Sequence, residues 1–380
     1  MDGALTGCRV LDLTDEKGML CSRFLAEMGA EVIRLEAPGS AGTRRSPEES
    51  YRNAGKKSVS LELRSPEGKG LFHRLVQKAD VVVESGAAGI PDIDFPTLNC
   101  INPSLVAASI SDFGRTGPYR NFQACDLVVS ALGGAMYVSG EPDTPPLKLH
   151  GDQAYNTACL FAGIGILLAL RYRQHTGRGQ HVDISAMECV TATLDHVLVR
   201  YLYEGTVARR QGGRHRNGAF GILPCRDGDA LLSLARDWDV LAAWLDAEGM
   251  ADDLTGVRWR DRDERLKHSG HVFEVLERWT RGHTVTELVE KGQLMGFPWA
   301  EVAGIGRVAE SPQLAARDYF TGVECSGKNY RSAGPPCRLS RTPWLAGGRV
   351  AARGEQNEEV YQQLGLSLEE IRRLEENGII

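Results

Sequence analysis

Two side chains at the head of one long apolar stretch pose the chemical question. The segment GDQAYNTACLFAGIGILLALRYRQHTGRGQHVDIS, residues 151–185, reads as a polar lead-in, an apolar helix, a basic cap and the start of a strand. Its lead-in offers Asp152 and, one turn on, Tyr155. A carboxylate is ionised at neutral pH and can attack an acyl carbon with no base to activate it. A phenol, with a pKa near ~10, cannot do that work at pH 7. Asp152 is also the residue type that caps a helix N-terminus, which is the usual reason for an Asp ahead of an apolar helix. Asp126, in CDLVVSALGG, can likewise cap a helix. Lys56 and Lys57 precede an SVSLEL strand and Arg64 follows it, so these cations could meet phosphates or stand as solvated charges. His268 and His271 have a zinc-compatible spacing, but no further ligand cluster lies near them in sequence, and no metal is expected.

The elements that must position these groups are partly legible. Strand-like runs at 8–14, 30–36, 80–85 and 105–114 alternate with helical patterns at 19–29 and 65–79. Ser65 then Pro66 reads as an N-cap followed by the first helical position. Alternation of this kind predicts an α/β fold with a parallel sheet and right-handed crossovers. No GxGxxG follows the first strand, so neither a nicotinamide nor a flavin cofactor is expected. Residues 184–205 read as one long helix. A hairpin is expected at Arg226-Asp227-Gly228-Asp229, and amphipathic helical pieces follow between 239 and 296, as in a second, α+β domain. Near the C-terminus, Ser367 and Glu370 form a capping-box pattern.

Composition narrows the class. The 380 residues are 42% hydrophobic and 25% charged, enough apolar mass for a sizeable core. A net charge of -6 argues against a nucleic-acid partner. The nine cysteines form no CxxC and are odd in number, which points to a reduced, cytoplasmic compartment. The opening MDGALTGCRVLDL does not read as a signal peptide, and the longest apolar run, 158–170, is too short to span a bilayer, so no membrane is expected.

Seven stretches, taken in order, resemble those of the class III CoA-transferases. They are GCRVLDLTDEKG, GAEVIRLEAPGSAGTRR, KKSVSLELRSPEGK, ADVVVES, NPSLVAASISDFGRTGPYR, TGRGQHVDIS and EEVYQQLGLSLEEIRRLEENGII. That superfamily includes formyl-CoA and carnitine CoA-transferases and α-methylacyl-CoA racemases. The resemblance spans nearly the whole chain. It implies a Rossmann-like large domain formed by both termini (1–205 and 321–380), a small α+β domain (206–320), and two chains interlocked like links. It implies coenzyme A as a substrate, with an acyl-CoA and a carboxylic acid as partners and an Asp nucleophile that forms an acyl anhydride.

The family's nucleophile lies a fixed distance before TGRGQ, and counting back from Thr176 without a gap lands on Tyr155. Asp152 could reach the same space if the helix began earlier. By the same resemblance Arg44, Lys57, Leu61, Arg64 and Ser85 match cofactor-binding positions, and Asp126 a supporting acidic one. Asp15-Glu16-Lys17 would lie near the CoA site. Cys125 stands where the racemases carry a His, which with Tyr155 argues against racemase activity. The expected protein is therefore a CoA-transferase subunit that lacks the nucleophile and pairs with an active homologue, as in the benzylsuccinate type. The rivals are a homodimer using Asp152, a non-catalytic scaffold, and a racemase.

Overall fold

The computed structural model describes residues 3–39, 46–85, 93–214, 220–234 and 237–380. The chain forms two compact units, one of residues 1–135, 148–204 and 312–380, the other of 136–147 and 205–311.

The larger unit is built on β1 (Arg9–Leu13), α1 (Met19–Glu27), β2 (Glu31–Glu36), α2 (Pro47–Asn53), β3 (Lys57–Ser60), α3 (Pro66–Gln77), β4 (Val81–Glu84), α4 (Phe95–Ile101), β5 (Val106–Ser111), α5 (Asp126–Leu132), α6 (Gln153–Thr176), β6 (His181–Ser185), α7 (Ala186–Ala192) and α8 (Asp195–Glu204). The six strands are all parallel, in the order β3-β2-β1-β4-β5-β6. Side chains alternate across this sheet. Val10, Val32, Val81 and Val83 enter a core shared with α1, α6 and α7. Leu11, Ile33, Val59 and Val82 enter a second core on the opposite face, shared with α3 and the C-terminal helices. Helices therefore cover both faces, and central strands such as VVVE are buried along their whole length.

In this strand order the direction of winding reverses between β1 and β4, and ligands of open α/β sheets bind outside the strands' carboxyl ends at such a point. The loops that follow β1, β4 and β5 therefore form the edge of interest.

Helix α6 crosses this edge. It buries Ala154, Tyr155, Ala158, Cys159, Ala162, Ile166 and Ala169, the three-to-four-residue repeat of one helical face. Its 24 residues exceed the apolar run read from sequence, and by length and composition it could cross a membrane, yet half of its most apolar window is buried inside the chain. Two glycines end it. Gly177 takes the left-handed C-cap conformation at φ 70. At Gly179 a Cβ would lie 1.8 Å from the Leu105 carbonyl oxygen, so only glycine can turn the chain into β6 there.

One helix expected over 184–205 is instead strand and two helices. Ile184 and Ser185 complete β6, and Ser185 caps α7 by accepting from the Glu188 N–H. The chain then breaks at Thr193, whose hydroxyl donates to the Val190 carbonyl 2.7 Å away and competes with the helical ladder.

The smaller unit carries β7 (Phe220–Pro224) and β8 (Asp229–Ser233), a hairpin closed as expected, with the Cys225 N–H donating to the Gly228 carbonyl at 2.7 Å. Helices α9 (Trp238–Ala247), α10 (Arg262–Lys267), α11 (Ser269–Thr280) and α12 (Val285–Leu294) follow, then β9 (Ala300–Glu301), which adds to β8. Trp259, Trp279 and Trp299 fill this unit's core.

The smaller unit ends with α13 (Ile305–Ala309), and the chain returns to the larger unit with α14 (Pro312–Ala316), the hairpin β10 (Phe320–Cys325) and β11 (Lys328–Ala333), β12 (Gly348–Arg349), α15 (Asn357–Gln363) and α16 (Leu368–Glu376). The Tyr361 hydroxyl donates to the Ser60 carbonyl at 2.6 Å and pins α15 to the end of β3. The capping box of Ser367 and Glu370 opens α16.

Candidate active site

The site is assembled where α6 begins over the carboxyl ends of β1, β4 and β5. Tyr155 sits in the first turn of α6 and is almost fully buried. Its hydroxyl donates to Asp112 Oδ1 at 2.8 Å, just past the end of β5. Burial pushes the phenol far above its ordinary pKa, and the bond to Asp112 and that carboxylate's charge push it further. Tyr155 is therefore a neutral donor at any working pH.

Asp112 is a half-buried carboxylate at a strand's carboxyl end, and its backbone carbonyl accepts from the Met187 N–H at 3.0 Å. Sequence reasoning missed it. The one available signal was an acid near the end of a predicted strand run, in SISDFG, at the end where open α/β sheets bind ligands.

Asp126 is buried and turns out to cap a helix other than its own. Its Oδ2 accepts the Tyr155 N–H at 3.1 Å, and Lys148 Nζ lies 2.8 Å from its Oδ1. The negative charge thus sits at the N-terminus of α6, where the helix dipole favours it. Asp152 occupies the N-cap position of α6, but its side chain makes no cap bond. Its Oδ2 instead accepts from Arg52 Nη2 at 2.6 Å. The helix does not start early enough to bring Asp152 to the position that Tyr155 holds.

The loop after β1 closes the near side. Ser85, at the end of β4, donates to Asp15 Oδ1 at 2.6 Å and accepts the Asp15 N–H at 2.8 Å, which ties the two strand ends together across the switch point. Lys17 Nζ reaches Asp15 Oδ2 at 2.6 Å. Burial works against the Lys17 ammonium, but Asp15, then Asp112 and Glu16, hold its pKa above the ordinary lysine value. The Cys159 thiol on α6 donates to the Lys17 carbonyl at 3.1 Å, which ties the loop to the helix.

The cofactor-binding positions divide. Lys57 lies between Glu31 and Glu359, with Nζ–O distances of 2.7 and 2.6 Å, and is already neutralised. Leu61 is 2% exposed and belongs to the core. Arg64 is exposed just before α3, and among the described residues only its backbone N–H is engaged, by Glu62. Arg44 lies outside the described residues.

Lys56 is wholly buried, and its ammonium contacts Asp12, Ser22, Asn53 and the Met19 carbonyl, all within 2.9 Å. His271 pairs with Asp253 and stacks on Trp259, and His268 pairs with Glu264. Among the described residues, no three His, Cys, Asp or Glu side chains converge as a metal site would require.

Residues 5–355 match the family described as CoA-transferase family III. The chain is 30% identical to the succinyl-CoA:(R)-benzylsuccinate CoA-transferase subunit BbsE of Thauera aromatica, over 98% of this chain and 97% of that one. It is also 30% identical to a formyl-CoA:oxalate CoA-transferase of Streptomyces avermitilis, over all of both chains. Among solved structures it resembles a CAIB/BAIF family protein from Brucella suis, with a TM-score of 0.86 and 27% identity, covering 96% of this chain and 100% of the other.

Proposed function

The chain belongs to CoA-transferase family III, and on that premise we propose that it moves coenzyme A from an acyl-CoA to a second carboxylic acid through an acyl anhydride on an enzyme carboxylate. The observation that carries the reading is a set of anchored carboxylates, Asp112 and Asp126, gathered by Tyr155 at the sheet's switch-point edge.

An enzyme carboxylate attacks the thioester carbon, the C–S bond breaks, and the thiolate leaves. The thiolate then attacks the enzyme's own carbonyl and releases the first acid. The second acid attacks the resulting enzyme thioester, whose C–S bond breaks and frees the thiolate as a new anhydride forms. The thiolate then attacks the second acid's carbonyl, the anhydride C–O bond breaks, and the enzyme carboxylate is restored. Each step exchanges one activated acyl group for another of similar energy, so the sequence needs neither redox chemistry nor a metal. Arg64 suits a phosphate of CoA, being exposed and without a side-chain partner among the described residues, whereas Lys57 is already held by two carboxylates. The aromatic trio Phe113, Tyr119 and Phe122, which follows Asp112 and leaves Tyr119 and Phe122 exposed, suits a bulky or aromatic acid.

A second reading rests on Tyr155 at the motif position and on the word subunit in one relative's name. In it the chain lacks the nucleophile and interlocks with a homologous chain that supplies one.

The test is to incubate the purified chain with succinyl-CoA and a panel of carboxylic acids, with and without a homologous partner, and to follow acyl-CoA species by chromatography. New acyl-CoA formed in step with free succinate is expected. Release of free CoA alone, or no reaction under either condition, contradicts the reading.

A further inference from the structure

We propose that Asp112 is the nucleophile of this chain, so that the reactive carboxylate stands on β5's carboxyl end rather than on α6. The inference rests on the CoA-transfer reading above and names the residue that carries it. Three observations converge on it. The place on α6 that an acid should hold is occupied by Tyr155, whose buried hydroxyl bonds to a carboxylate 2.8 Å away. The carboxyl group thus stands at the far end of the tyrosine side chain from the motif position, joined to it by one hydrogen bond.

Second, the other aspartates nearby are committed, and Glu16, whose charge also acts on Tyr155, is an exposed loop carboxylate rather than one fixed at a strand end. Asp126 is buried, bonded to the Tyr155 N–H and paired with Lys148. Asp152 is paired with Arg52. Asp15 is bonded to Lys17 and Ser85. Third, Asp112 uses one oxygen toward Tyr155, and its other oxygen has no hydrogen-bond partner among the described residues. A nucleophilic carboxylate needs that arrangement, one oxygen fixed and one free.

In the step, the free oxygen of Asp112 forms a bond to the thioester carbon, the C–S bond breaks, and CoA thiolate departs with the electron pair. Tyr155 keeps its proton throughout and orients the carboxyl group, so it is a positioning residue.

The test uses the full chain in whatever assembly it forms. The chain is mixed with an acyl-CoA donor, succinyl-, acetyl- or formyl-CoA, and trapped with borohydride, which reduces an activated carboxyl group to the alcohol. Peptide mass mapping then locates the site. The expected result is a modified Asp112 in the wild-type chain, lost in Asp112→Asn together with about a thousandfold or more of the CoA exchange. Asp152→Asn should exchange CoA within a few-fold of wild type. Mapping the wild-type protein does not depend on any variant folding.

Modification of Asp152, or of a homologous partner only, with exchange intact, overturns Asp112 and leaves the CoA-transfer reading standing. Absence of both exchange and modification overturns the transfer reading and this assignment with it.

Discussion

Tyr155 shows how one residue can be legible in kind and illegible in role. Its identity at the motif position follows from counting along the chain, but its bond to Asp112 joins residues 43 positions apart and exists only because β5 and α6 meet. No local pattern carries that information. Removing the hydroxyl in Tyr155→Phe should lower kcat about tenfold to a hundredfold with KM little changed, the ~1.5–3 kcal/mol of a hydrogen bond to a charged group. Steady-state kinetics on a single donor and acceptor pair read that split, and a loss confined to KM would contradict a positioning role.

Lys56 makes the same point. The pair Lys56-Lys57 reads as two solvated charges, yet alternate strand geometry sends Lys56 inward, to a carboxylate that is also wholly buried. Burial alone would raise the Asp12 carboxyl pKa, but Lys56, Arg34 and Thr14 hold it below the ordinary value. That stability is present above the unfolded carboxylate pKa, near ~4, and is lost as pH falls through the lower folded value. Lys56→Met, which leaves a buried charge unpaired, should cost about 3–5 kcal/mol at neutral pH and flatten the loss of stability on acidification. Urea unfolding at several pH values checks both, and a variant as stable as wild type would contradict the account.

At the scale of elements, the strands, the capped α3 and α16 and the β7–β8 hairpin were readable because each rests on a local pattern: an apolar run, a Ser-Pro start, a Ser-x-x-Glu box, an Asp-Gly turn. The division of 184–205 was not readable, since an apolar and helix-forming stretch gives no hint that its first residues pair with β5. TGRGQ earns its two glycines structurally, and the two should respond differently to substitution. Gly177→Ala introduces a side chain into a left-handed cap and should cost about 1 kcal/mol. Gly179→Ala drives a Cβ into the Leu105 backbone and should cost more than about 4 kcal/mol or prevent folding. Thermal unfolding of the pair ranks them, and equal losses would contradict the close approach.

For the whole molecule, the larger unit leaves apolar surface uncovered on two of its helices. Leu168 of α6 is 65% exposed and Leu202 of α8 is 67% exposed, with Phe161, Ile164 and Tyr203 exposed beside them in sequence. Patches of this kind mark interaction sites, and contact with a second chain is one such use. If chains pair through this surface, Leu168→Asp with Leu202→Asp should lower the mass seen in sedimentation to that of single chains, and an unchanged mass would contradict that use of the surface.

Legibility also differs at this scale. Fold class and family follow from alternation and from seven ordered stretches. The reacting carboxylate does not, because it depends on which loops the switch point gathers. Isotope transfer tests that claim most directly. When the acceptor acid carries heavy oxygen in its carboxylate, each full turnover leaves one of those atoms in the enzyme's nucleophile. After repeated turnover, the tryptic peptide ending at Arg115, which contains Asp112, should gain the mass of one heavy oxygen, localised to Asp112 by fragmentation. Heavy oxygen in the peptide from Leu149 to Arg171, which contains Asp152, or in no peptide of this chain while exchange proceeds, would contradict it.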